Sequence, residues 1–127
     1  MKEGKHVILC VDDDPDILDT LRIILESNGY AMVCGRTAEE GLKQYRAESP
    51  DLVLVDLMME EVDAGTSLVT KLKAQGNTAT VYMLSAVGQE LSRSIDPSQL
   101  GLSGVFHKPI DADVVLKTLR MQLKKKP

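Results

Sequence analysis

No apolar run in this 127-residue sequence approaches the roughly 20 residues that a bilayer-spanning helix needs. A membrane span is excluded on that count. The charged opening "MKEGKH" is followed by only a short apolar run, Val7 to Val11, too brief for the hydrophobic segment of a secretory leader. Export is therefore not expected. Cysteine is scarce as well, and Cys10 and Cys34 lack the C-x-x-C spacing of a metal or redox motif. Both sit in apolar strand-like runs, so they read as buried reduced thiols, which fits a cytoplasmic protein. An excess of positive charge is missing too: the formal net charge is −4, which argues against nucleic acid as a direct partner. The "KKK" at 124–126 does not reverse that, since cations suit the negative end of a closing helix. Low-complexity segments and repeats are absent, and the length leaves room for one core and no second domain. The whole of 1–127 is expected to form one domain, with its core at about 5–123.

What the sequence does contain is a regular alternation. Residues 6–11, "HVILCV", form an unbroken apolar run of the kind a strand covered on both faces requires. Ile17, Leu18, Leu21, Ile24 and Leu25 then recur at helical spacing, with Gly29 placed to stop the helix. A strand over Ala31 to Cys34 precedes Thr37 and Glu40, whose spacing is that of a capping box ahead of Leu42 and Tyr45. Leu52 to Val55 is a third strand, and Leu68, Val69 and Leu72 share one face of a helix ending near Gly76. Strands over 81–85 and 105–108 follow, and Asp111 caps a last helix bearing Val114, Val115, Leu119 and Leu123. Between them, Pro97 and Gly101 interrupt the segment 87–104, so the helix due there should be short or broken. Five strand–helix alternations predict an α/β domain with a parallel sheet.

In such a sheet, ligands gather beyond the carboxyl ends of the strands, so the residues that follow strands matter most. "DDDPD" follows the first, Asp56 the third, Ser85 the fourth and Lys108 the fifth; the second offers no such group. Pro15 suits the first helical position, which makes Asp14 the N-cap and Asp16 a partner for the helix dipole. Asp12 and Asp13 have no helical role and remain at the strand end with Asp56. Three carboxylates crowded there repel one another and call for a proton or a counter-cation. Oxygen donors alone suit Mg²⁺ better than zinc or copper. His6 and His107 both fall within strands, have no partner at metal-ligand spacing, and read as structural.

A carboxylate beside Mg²⁺ can attack a phosphoryl group and become an aspartyl phosphate. Asp56 is the candidate nucleophile, because it stands alone at its strand end whereas Asp12 and Asp13 form a pair. Lys108 would supply a point charge and Ser85 a hydrogen-bond donor. Each residue has an ordinary alternative: a lone Asp or Ser after a strand is usually a turn or cap, and a lone Lys is usually solvated. Four such groups at corresponding strand ends are much more specific than any one.

On these pieces, "ILCVDDDPDIL", "DLVLVDLMM", "VYMLSA" and "HKPI", the sequence resembles the receiver domain of two-component response regulators over about residues 5–123. The resemblance implies a flavodoxin-like sheet of order 2-1-3-4-5. It also implies Asp56 as phosphoacceptor, Asp12 and Asp13 as the acidic pair around Mg²⁺, and Met58 as donor of a backbone carbonyl to the metal. Ser85 would be the switch hydroxyl, Lys108 the phosphate-pairing lysine, and the Lys108–Pro109 bond cis. Partners would be a histidine kinase or phosphotransfer protein and a downstream protein, in the cytoplasm, with no enzymatic activity beyond the domain's own phosphorylation and dephosphorylation. Met58 and Val87, which by position flank the phosphoryl group, are apolar and predict a long-lived aspartyl phosphate. The sequence departs from the family at Met59-Glu60 and Asp63-Ala64, around Pro97, and at Val105, where an aromatic is usual and Phe106 comes one place late.

Two other functions use some of the same features. A phosphohydrolase resembling the haloacid dehalogenases would want D-x-D followed by Thr or Val, which "DDDP" only half meets. A receiver-shaped module that never takes phosphate is suggested by Val105 and the altered loops. After Lys108 only residues 109–127 remain, enough for one helix and no DNA-binding unit, so output by protein contact is expected.

Overall fold

A computed structural model describes residues 4–56, 71–74, 76, 79–85, 104–107 and 110–123. Strands β1 (Val7–Val11), β2 (Ala31–Gly35), β3 (Leu52–Asp56), β4 (Thr80–Ser85) and β5 (Gly104–His107) pair in parallel in the order β2-β1-β3-β4-β5. Helices α1 (Pro15–Glu26), α2 (Ala38–Glu48) and α3 (Ala112–Leu123) pack against this sheet, and residues 71–74 are also helical. The fold class is the one the strand–helix alternation predicted, and the strand order is the one the family resemblance implied. Boundaries shift by one residue in places: His6 lies just ahead of β1, and Gly104 rather than Val105 opens β5. The interrupted segment 87–104, apart from Gly104, and the residues Leu68, Val69, Val87, Pro109 and 124–126 lie outside the described residues.

The two-residue period of the strands sorts the core into two layers. Ile8, Leu52, Leu54 and Leu84 face α1 and α3, meeting Leu21, Leu25 and Leu119. Leu9, Val53, Val55 and Met83 face the other way, with Leu72 and with Leu42 and Tyr45 of α2. Every residue of β1 and β3 is buried, as the unbroken apolar runs predicted.

Local signals set the helix ends. The Asp14 side chain accepts the Asp16 N–H at 2.9 Å, and Pro15 opens α1. Helix α1 ends at Glu26, and Gly29 takes the left-handed conformation at φ 86° before the chain enters β2. Asp111 accepts the N–H groups of Asp113 and Val114 at 3.0 and 3.3 Å, capping α3. At α2 the Thr37 hydroxyl accepts the Glu40 N–H at 3.0 Å, but the Glu40 carboxylate reaches past the cap to the Arg36 N–H at 2.8 Å. That reach draws the chain leaving β2 against α2. A Cβ on Gly35 would stand 2.6 Å from the Gly41 nitrogen, so only glycine permits the approach.

Candidate metal and phosphoryl site

Strand pairing brings the acids together. Val11 of β1 is in register with Val55 of β3, so Asp12 and Asp56 are the next residues of two neighbouring strands. Both prolong the rows that face α1, after Cys10 and Leu54. Asp12 is fully buried and Asp56 is 2% exposed, the only buried charged side chains among the described residues. With the partly exposed Asp13, each can offer one oxygen such that all three lie within 4.8 Å of one another.

The loop after β1 is held by hydrogen bonds at its first residue. The Asp12 N–H donates to the Gly35 carbonyl at 3.1 Å, tying the loop to β2, and Asp12 Oδ1 accepts the Asp14 N–H at 2.9 Å. One Asp12 oxygen thus shapes the turn into α1, and its Oδ2 is buried. The three-acid set predicted from sequence is therefore one cluster. Two carboxylates out of water and a third beside them concentrate negative charge at a cost that a hard dication would offset. The donor set fits Mg²⁺: it is all oxygen, and its spread is one that an ion keeping several waters can bridge.

The remaining predicted groups are placed less fully. Ser85 is the last residue of β4, in register with His107 at the end of β5, so its backbone belongs to the same rim. Its side chain, together with Met58, Lys108 and the Lys108–Pro109 bond, lies outside the described residues. At the position where the family usually carries an aromatic, Val105 packs on the α2 side; Phe106 faces the α1 side, stacked on Tyr82 with ring centroids 4.8 Å apart. The two residues do point to opposite faces, as their adjacency in a strand required.

Two expectations are corrected. The second strand was taken to end without a useful polar group, yet Arg36, directly after Gly35, reaches the Asp13 carbonyl oxygen with Nη2 at 3.5 Å. The two cysteines also differ: Cys10 is buried, but Cys34 is only half-buried, because β2 is an edge strand. Burial pushes the Cys10 thiol far above its ordinary range and neighbouring Cys34 adds to the rise, while Arg22 opposes it and Asp12 contributes least.

Comparison with known proteins agrees with this geometry. A family model described as the response regulator receiver domain matches residues 8–120. The chemotaxis protein CheY of Bacillus subtilis is 35% identical over 119 residues, covering 93% of this chain and 98% of that protein. The transcriptional regulatory protein GlrR of Escherichia coli is 33% identical over 112 residues, covering 88% of this chain but only 25% of that protein. This chain thus spans about a quarter of the length of some of its curated relatives. The crystal structure of a CheY-like receiver domain protein from Methanospirillum hungatei superposes with a TM-score of 0.86 at 28% identity, covering 96% of each chain.

Proposed function

This chain belongs to the response regulator receiver domains, and on that premise we propose that Asp56 accepts a phosphoryl group in a Mg²⁺-dependent reaction. Receiver domains are signalling modules rather than classical enzymes, and the chemistry assigned here is the domain's own phosphorylation and dephosphorylation. The observation that carries the reading is the burial of Asp56 at the end of a central strand, within 4.8 Å of two more carboxylates.

Asp12, Asp13 and Asp56 would hold the ion, with the Met58 carbonyl as a further oxygen donor. Bound Mg²⁺ supplies charge neutralisation for the incoming phosphoryl oxygens. An Asp56 carboxylate oxygen attacks phosphorus; the new O–P bond forms as the P–N bond to the phosphohistidine of a kinase or phosphotransfer protein breaks. The departing imidazole keeps that electron pair. Asp12 keeps the loop in place through its bonds to Gly35 and Asp14, so the acid pair is oriented before a donor arrives. Lys108 would pair with the phosphoryl group and Ser85 would hydrogen-bond it once attached. The modified state then shifts a conformational equilibrium read by a downstream protein partner.

Residues 1–127 act as a single receiver domain in this reading, working by protein contact rather than by holding nucleic acid, in a cytoplasmic compartment that keeps thiols reduced. GlrR of Escherichia coli and PhoP of Bacillus subtilis, both transcriptional regulatory proteins, are longer chains, of which this one covers 25% and 42%.

Incubation with Mg²⁺ and acetyl phosphate, followed by intact-mass measurement, should show the gain of one phosphoryl group. Asp56→Asn should show none, and omission of Mg²⁺ should suppress it. Equal labelling of the Asp56→Asn protein would overturn the assignment. With apolar Met58 and Val87 flanking the phosphoryl group, the label should persist in Mg²⁺ buffer, and rapid loss without a phosphatase would contradict that part.

A further inference from the structure

Cys10 and Cys34 stand directly opposite one another across β1 and β2. Both face α1: Cys10 lies in that core layer and Cys34 packs against it. Above them, Arg22 of α1 is pinned by Glu26, with Nη1 to the carboxylate at 3.0 Å, and its Nη2 donates to Cys34 Sγ at 3.6 Å. That contact meets the sulfur of a residue that is only half-buried at the sheet edge. Beneath it, Cys10 is fully buried. The two sulfurs therefore have unequal roles: one can meet a reagent from solvent, and the other lies next to it and is sealed.

We propose that Cys10 and Cys34 form an oxidisable dithiol, closed to a cross-strand disulfide by a hydroperoxide. In the first step the Cys34 sulfur attacks one peroxide oxygen; an S–O bond forms, the O–O bond breaks, and the departing alkoxide takes up the proton that Cys34 lost. The product is a sulfenic acid on Cys34 and an alcohol, or water where the oxidant is hydrogen peroxide. Next the Cys10 sulfur attacks the Cys34 sulfur; the S–S bond forms, the S–O bond breaks, and hydroxide leaves with the Cys10 proton as water.

Backbone spacing permits the closure. Paired strands lie about 4.7–4.9 Å apart, inside the roughly 4.4–6.8 Å range of Cα separations that disulfides bridge. In a parallel pair the Cβ atoms stand nearly as far apart as the Cα atoms, wider than a relaxed disulfide prefers, so this one is strained and readily reduced. Such lability suits a reversible mark in a reducing compartment, where a permanent cross-link would not persist. The tie also lies beside the Asp12 N–H to Gly35 carbonyl bond of 3.1 Å, the link that anchors the acidic loop to β2.

The test treats the reduced, folded protein with hydrogen peroxide, alkylates the remaining thiols and measures the intact mass, with far-UV circular dichroism confirming the fold. Wild type should lose two hydrogens, resist alkylation and yield a Cys10–Cys34 linked peptide, all reversed by a thiol reductant. Cys10→Ala, or Cys10→Ser if the former does not fold, should instead stop at one added oxygen on Cys34. Added oxygens without loss of hydrogens in wild type, or links only between molecules, would overturn the dithiol.

Discussion

The central strands β1 and β3 and the edge strands β2 and β5 share one hydrogen-bonded sheet, but they are built for different work. Every residue of β1 and β3 is buried, and each run leads into a buried carboxylate at the same rim. The edges are mixed: β2 leaves Cys34 half-buried and β5 leaves His107 exposed. A strand flanked on both sides can hold a charge out of water at its end, where a cation can offset the cost of desolvation. An edge strand instead offers groups that reach inward from solvent, and Arg36 and Cys34 are of that kind.

Core truncation should expose the contrast most strongly. Leu54→Ala in β3, at a fully buried position, should cost about 2–5 kcal/mol, whereas Val33→Ala in β2 should cost about 1 kcal/mol. Equal losses in chemical denaturation would mean that β2 is packed as tightly as the centre. A smaller effect separates the strand ends. Mg²⁺ at about 100 times its Kd should stabilise the protein by about 2.7 kcal/mol, visible as a rise in Tm. Asp56→Asn should lose most of that response, and without Mg²⁺ it should be more stable than the parent by about 1 kcal/mol, since one of three crowded charges is gone. An unchanged Mg²⁺ response in the variant would remove Asp56 from the ion site. The last test looks for an exception to the tolerance of the edge. Gly35→Ala should destabilise by about 1–3 kcal/mol, because its methyl group meets the backbone of α2 at Gly41. A neutral result would show that α2 can move away freely.

Much of this was legible from residue order. Apolar runs that stop at Asp12 and at Asp56 mark strands ending in acids, and Pro15 with Asp14 separates the cap from the metal pair. The reach of Arg36 was not legible, because a lone arginine after a glycine is most often solvated surface, and only the packing of β2 beside β1 puts the Asp13 carbonyl within its range. The unequal exposure of the cysteines escaped for a related reason. Both occupy apolar runs, and an apolar run does not announce whether its strand will have one neighbour or two.

By itself, the order of residues determined the alternation of strands and helices, the caps at Asp14, Thr37 and Asp111, and the choice of carboxylates as strand-end groups, since each depends on near neighbours in the chain. Tertiary structure alone decided that Val11 aligns with Val55 and that Cys10 faces Cys34. Those contacts join residues far apart in sequence, and the pairing and register of whole strands place them, through hydrogen bonds and burial summed over the sheet.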